Sequence, residues 1–170
     1  MKSEKLKSIQ SPIKENYKSN PAEAYITLKA EGRLGKDITC NVNTGRAIID
    51  AGLHPATGGT GLNICSGDML LEALVACAGV TMNAVATAIG IEIKEGIIKA
   101  EGDMDFRGTL GLSKEVPVGF QNIRLKFILD TNADKDQLSS LIKLTERYCV
   151  VYQTLKNSPS FEVISTIRTV

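Results

Sequence analysis

Three observations predict an α+β fold with largely antiparallel sheets. Several short segments alternate apolar and polar residues with period two, the mark of half-buried strands. Two longer segments, 67–89 and 135–148, read as helices. The strands come in runs rather than alternating singly with helices, in the order β-β-β-α-β-β-α-(α)-β, which favours antiparallel pairing over a doubly wound parallel sheet.

The opening MKSEKLKSIQSPIKENYKSN is polar and charged, and residues 1–22 are expected to form a flexible N-terminal arm. Residues 23–170 are expected to form a single domain, as 170 residues with 43% hydrophobic and 23% charged content allow. The first strand fits 24–33, where Ile26, Leu28 and Ala30 alternate with Tyr25, Thr27 and Lys29. Gly32-Arg33-Leu34-Gly35 reads as a turn. Ile38, Cys40 and Val42 share one face of a second strand at 37–43, and Asn43-Thr44-Gly45 turns the chain into a third at 46–50.

The glycine-rich loop HPATGGTGLNICS (54–66) follows. Ser66 is placed to cap the first helix, with Asp68 in its first turn against the helix dipole, and Gly90 stops it. Ile98, Ala100, Gly102, Met104 and Phe106 mark one face of the next strand. A glycine-bearing loop spans 107–117. Ile123, Leu125, Phe127 and Leu129 mark another strand. Asp134 can cap the second helix, 135–148, whose apolar positions Leu138, Leu141, Ile142, Thr145 and Cys149 recur at three and four. A short helix fits 150–155, and a last strand 160–169.

Bulk properties narrow the function. A net charge of +1, with scattered Lys and Arg, gives no footprint for nucleic acid or an anionic membrane surface. Residues 73–91 are uncharged and nearly long enough to span a bilayer. They hold Thr81, Asn83, Thr87 and two glycines, and lack aromatic and basic flanks, so a helix buried in a protein core is expected instead. The opening has no apolar stretch of the secretory kind, which points to the cytoplasm. Of the four cysteines, Cys40, Cys65, Cys77 and Cys149, no two form a C-x-x-C pair, and His54 is the only histidine. A zinc site or thioredoxin-type motif is therefore not indicated, and no metal or other cofactor is expected.

In a reducing compartment, cysteines are either packed as small hydrophobes or reactive. Cys77 lies mid-helix, where packing is the default reading. Cys149 ends the second helix, where the negative end of the dipole raises a thiol pKa and suits a resolving thiol better than a primary nucleophile. Arg33, in its glycine turn, reads as a solvated arginine or as a cation that holds a neighbouring thiolate. Asp68 reads as a cap, or as the carboxylate that orients that arginine.

Five stretches in order, EGRLGKDITC (31–40), HPATGGTG (54–61), SGDMLLEALVACAGVTM (66–82), PVGFQNIRLKF (117–127) and TERYCVVYQTL (145–155), resemble the OsmC/Ohr family, in its broad OsmC-like branch. The resemblance implies intertwined homodimers whose central helices are buried between subunits. It also implies a thiol-dependent peroxidase of oxidative-stress defence acting on organic hydroperoxides, with hydrogen peroxide as a second candidate. By position, Cys77 matches the attacking cysteine, Cys149 the resolving one, Arg33 the supporting arginine, and Asp68 the carboxylate that holds it. An external dithiol would return the pair to its reduced state. Gly67 stands where many members carry glutamate, and Val150 where proline commonly follows the second cysteine. These departures motivate the alternative of a small apolar ligand-binding protein with little or no peroxidase activity.

Overall fold

The computed structural model describes residues 3–34, 40–42, 51–165 and 167. Its main sheet has four strands in the order β2-β1-β5-β6, every neighbouring pair antiparallel. These are β1 (Tyr25–Leu34), β2 (Cys40–Val42), β5 (Ile93–Asp105) and β6 (Asn122–Thr131). A second, two-stranded ladder of β3 (Ala51–Gly52) and β4 (Ile64–Cys65) is parallel. With its helices this is the α+β architecture that the sequence predicts.

Alternation sets which face each side chain takes. Leu34, Ile98, Ala100, Ile123, Leu125 and Phe127 pack inward against the helices. Thr27, Glu31, Lys99, Asp103 and Arg124 form the polar outer face. There Asp103 accepts hydrogen bonds from Thr27 Oγ1 (2.7 Å) and Arg124 (2.8 Å), and Lys99 pairs with Glu31 at 2.6 Å. Helix α2 (Ser66–Ile89) lies on the inner face with α4 (Lys135–Tyr148) and α5 (Val150–Lys156). Leu71, Leu74, Val75 and Ala78 of α2 meet Ile98, Ala100 and Cys149 in one core cluster; Met82, Val85 and Ala86 meet Leu141 in a second.

Two helix ends follow the expected chemistry. Asp134 accepts from the Asp136 and Gln137 amides at 2.9 and 2.8 Å while Gln137 accepts from the Asp134 amide at 3.0 Å, a reciprocal capping box. Gly90 ends α2 with φ +72°, a left-handed conformation that costs glycine little. The start of α2 differs. Cys65, not Ser66, takes the N-cap position, and its own side chain makes no capping bond.

Other expectations need correction. Residues 3–19 form helix α1 rather than a loose arm, despite Pro12 within it. Tyr17 is buried, and its hydroxyl donates to the Ala56 carbonyl at 2.7 Å; Gln10 Nε2 donates to Thr57 O at 3.3 Å. Tyr17 joins Ala24, Phe106 and Leu110 in a third cluster, against the four-residue helix α3 (Phe106–Thr109). The polar composition hides this because only one narrow face of α1 docks. The Gly32-Arg33-Leu34 segment is strand, not turn: these residues pair with Val42, Asn41 and Cys40 on β2, and Gly32 and Arg33 also pair with Ile98 and Ile97 on β5. Ladder hydrogen bonds on both sides override the local turn signal of the two glycines. No strand forms over 160–165; Phe161, Val163 and Ile164 stand 81–93% exposed. The expected turn at 43–45 and strand at 46–50 lie outside the described residues.

Candidate active site

Cys149 occupies a corner. Its amide closes α4 on the Thr145 carbonyl (2.9 Å), its own carbonyl accepts from Gln153 N (2.9 Å), and its extended backbone (φ −72°, ψ 106°) separates α4 from α5. The side chain is fully buried among Leu71, Leu74, Val75 and Ala78 of α2. That packing brings its thiol within hydrogen-bonding reach of Cys77. Both sulfurs, and Cys65, are free thiols.

The Cys149 thiol is pushed up to about 11. Burial is the largest cause, and the Cys77 sulfur beside it adds to the shift. The backbone N–H groups of Tyr152 and Val151, at the start of α5, pull the other way, although no side-chain capping bond to α5 is formed. The cause therefore differs from the α4 dipole that the sequence reading invoked: Cys149 stands at the end of one helix and the start of another. At neutral pH it is a thiol and can donate to the Cys77 sulfur.

Cys77 sits between Ala73 and Val80 on the α2 face that the rest of the chain leaves partly uncovered. Met69, Leu70 and Val80 are 36–40% exposed there. Cys77 itself is half-buried and packs against the same core cluster as Cys149.

The other two expected site residues are elsewhere within the chain. Arg33 is exposed on the outer face of the sheet, near Glu31, whereas its neighbour Leu34 points inward to the helices. The sheet separates Arg33 from Cys77. Asp68 is nine residues before Cys77, two and a half helical turns, and so lies on the opposite side of α2. Its carboxylate accepts from the Cys65 amide, half of a capping box, and faces His54. Burial raises the Asp68 pKa, against the pull of His54; burial lowers that of His54, against Asp68. Glu72, one turn on, is raised by burial and by Asp68. His54 stacks on Phe106 at 5.0 Å and accepts at Nδ1 from Ala56 N at 3.1 Å. Asp68 thus stands at the start of α2 facing the loop 54–57. Among the described residues no group of three His, Cys, Asp or Glu side chains is arranged to hold a metal.

One feature of the site was missed from sequence. A cavity of about 370 Å³ opens next to the thiol pair, walled by Leu74, Phe120, Ile123, Leu125, Tyr152 and Leu155, with Gln121 and Lys156 among its polar lining. Leu74 is one turn before Cys77, and the Tyr152 amide faces Cys149. The only local signal was the spacing of Tyr152, Leu155 and Lys156 at three and four on one side of α5.

A family model described as "OsmC-like protein" matches residues 59–164. Two solved structures share the fold. An OsmC-like protein from Mycoplasma pneumoniae aligns with TM-score 0.56 at 19% identity, covering 79% of this chain and 88% of its own. An OsmC-like hydroperoxide resistance protein from Jannaschia sp. CCS1 aligns with TM-score 0.59 at 13% identity, covering 85% of this chain and 95% of its own. No curated protein matches the chain.

Proposed function

The chain belongs to the OsmC-like family, and on that premise we propose that it is a cytoplasmic, thiol-dependent peroxidase that reduces organic hydroperoxides through Cys77 and Cys149. The observation that carries this is that Cys149 is buried in the core cluster on which Cys77 also packs, with the Cys77 sulfur near enough to raise the Cys149 pKa. The Cys77 thiolate attacks one peroxide oxygen; the O–O bond breaks, the leaving alkoxide takes a proton and departs as the alcohol, and Cys77 becomes a sulfenic acid. The Cys149 sulfur then attacks the Cys77 sulfur. The hydroxyl leaves with the Cys149 proton as water, and a disulfide remains. An external dithiol reduces it, so each hydroperoxide consumes one dithiol and yields one alcohol and one water.

The raised Cys149 pKa supports this order of events. A thiol that stays protonated beside Cys77 can hydrogen-bond to the Cys77 thiolate and is a poor first nucleophile. Neither Arg33 nor Asp68 reaches the pair within one chain, and a homodimer would let a second copy supply its own cation to Cys77. The half-bare apolar stripe of α2 and the exposed Phe161, Val163 and Ile164 support such a homodimer, since contiguous exposed apolar surface marks an interface. The peroxidase reading is tested by mixing reduced protein with a slight excess of cumene hydroperoxide and counting thiols. Loss of two per chain within seconds, abolished by Cys77→Ser, supports it; unchanged thiols after an hour would sink it.

A second reading, binding of an apolar ligand without turnover, is favoured by the cavity and by the distance of both expected charged partners from Cys77. Unchanged thiols would leave this reading standing.

A further inference from the structure

The cavity beside the thiol pair has one polar feature that its walls do not explain. Leu74, Phe120, Ile123, Leu125 and Leu155 make it an apolar slot, of a size within the range of small-molecule sites. Phe120 can form its wall because residue 102 on β5 is glycine: a Cβ there would run into the Phe120 ring. Lys156, in the last turn of α5, is the single charged residue of the lining. Its ammonium lies 5.6 Å from the Tyr152 ring centroid, and no carboxylate pairs with it among the described residues. Glu146 accepts from the Tyr152 hydroxyl at 3.4 Å and is not part of the lining. Gln121 adds a neutral hydrogen-bonding group.

An apolar slot with one unpaired cation is complementary to an apolar chain ending in an anion. The tail buries apolar area against the five hydrocarbon walls, and the head gains a charge-assisted hydrogen bond from the ammonium. We infer that this cavity binds an aliphatic carboxylate, with the tail beside Leu74 and Leu125 and the carboxylate at Lys156. The position of Leu74, one turn from Cys77, puts the bound tail next to the sulfur pair. Occupancy itself does not depend on the peroxidase reading, so binding and thiol chemistry can fail separately.

The test uses the full-length reduced protein and two probes of equal chain length, octanoate and 1-octanol, titrated by calorimetry and by NMR shifts of the Leu and Ile methyl groups. Octanoate is expected to bind about tenfold more tightly than octanol, the size of one charge-assisted hydrogen bond. The preference should shrink as salt is raised. Lys156→Gln should bring octanoate down to the octanol affinity and leave octanol unchanged, while Lys156→Arg should keep the preference. Leu155→Trp, which fills the slot, should remove both ligands; if that variant does not fold, Ile123→Phe serves instead. Equal affinity of the two probes for the unaltered protein, no octanoate binding up to its solubility, or a preference that survives Lys156→Gln would each overturn the inference.

Discussion

The buried thiol of Cys149 lies within hydrogen-bonding reach of that of Cys77, and the two come from helices that nothing local in the chain brings together. Cys149 is at the α4–α5 corner; Cys77 is mid-way along α2, on the flank of an uncovered apolar stripe. One sulfur is sealed and protonated, the other half-open. In the proposed reaction, that asymmetry would give two chemically identical groups different duties.

Removing the second sulfur should strand the reaction half-way. Cys149→Ser treated with one equivalent of cumene hydroperoxide should carry a sulfenic acid on Cys77, trapped by dimedone and located by mass spectrometry of the digested protein. A dimedone adduct on Cys65 in place of Cys77 would remove Cys77 from the role of attacking thiol.

The raised Cys149 pKa also makes a stability prediction. Its folded value, about 11, exceeds its ordinary value of 9.0, so the folded state holds the proton more tightly than the unfolded chain. The stabilisation is fully present below about pH 9 and is lost as pH rises through about 11. It amounts to about 3 kcal/mol. Urea unfolding at pH 8 and at pH 11 should show a smaller loss of stability for Cys149→Ala than for the unaltered protein. Identical losses would mean that Cys149 is not held protonated by its surroundings.

Val80, 40% exposed on the α2 stripe, separates a dimer interface from an ordinary surface. Val80→Glu would place a charge in the seam between subunits, at a cost of several kcal/mol if the seam is dry. Sedimentation should show a dimer for the unaltered protein and a monomer for the variant. A variant that remains dimeric would move the interface off this face of α2.

Gly102→Ala adds a methyl group directly against the Phe120 ring, on the inner face of β5. Overpacking of this kind costs about 1–3 kcal/mol. Urea unfolding should show it, with octanoate affinity falling as the cavity wall shifts. An alanine accommodated without loss of either would show that Phe120 does not form that wall.

The local chemistry of the chain carried the boundaries of α2, α4, α5 and β6. The Asp134 box, Gly90 and the alternation of Ile123 to Leu129 act within a few residues, and such signals survive in any surroundings. Nine helical residues place Asp68 opposite Cys77, a phase that the expected pairing with Arg33 at that cysteine did not take into account. The Arg33 strand was not legible, because its two glycines favour bending while pairing with β2 and β5 on both sides holds the segment straight. Helix α1 was hidden by its polarity, since Tyr17 finds its partner, the Ala56 carbonyl, far along the chain.

By itself, then, the sequence determined the period and the ends of α2, α4, α5 and β6, and which residues were apolar enough to be buried. Only the tertiary structure decided that Cys77 and Cys149 meet, that Arg33 turns its back on them, and that Lys156 stands beside an apolar cavity. The physical reason is range: hydrogen-bonded caps and side-chain alternation act between neighbours in the chain. A sulfur–sulfur contact depends on how β5, β6 and α4 return the chain to α2, and that path is set by the burial of the whole core.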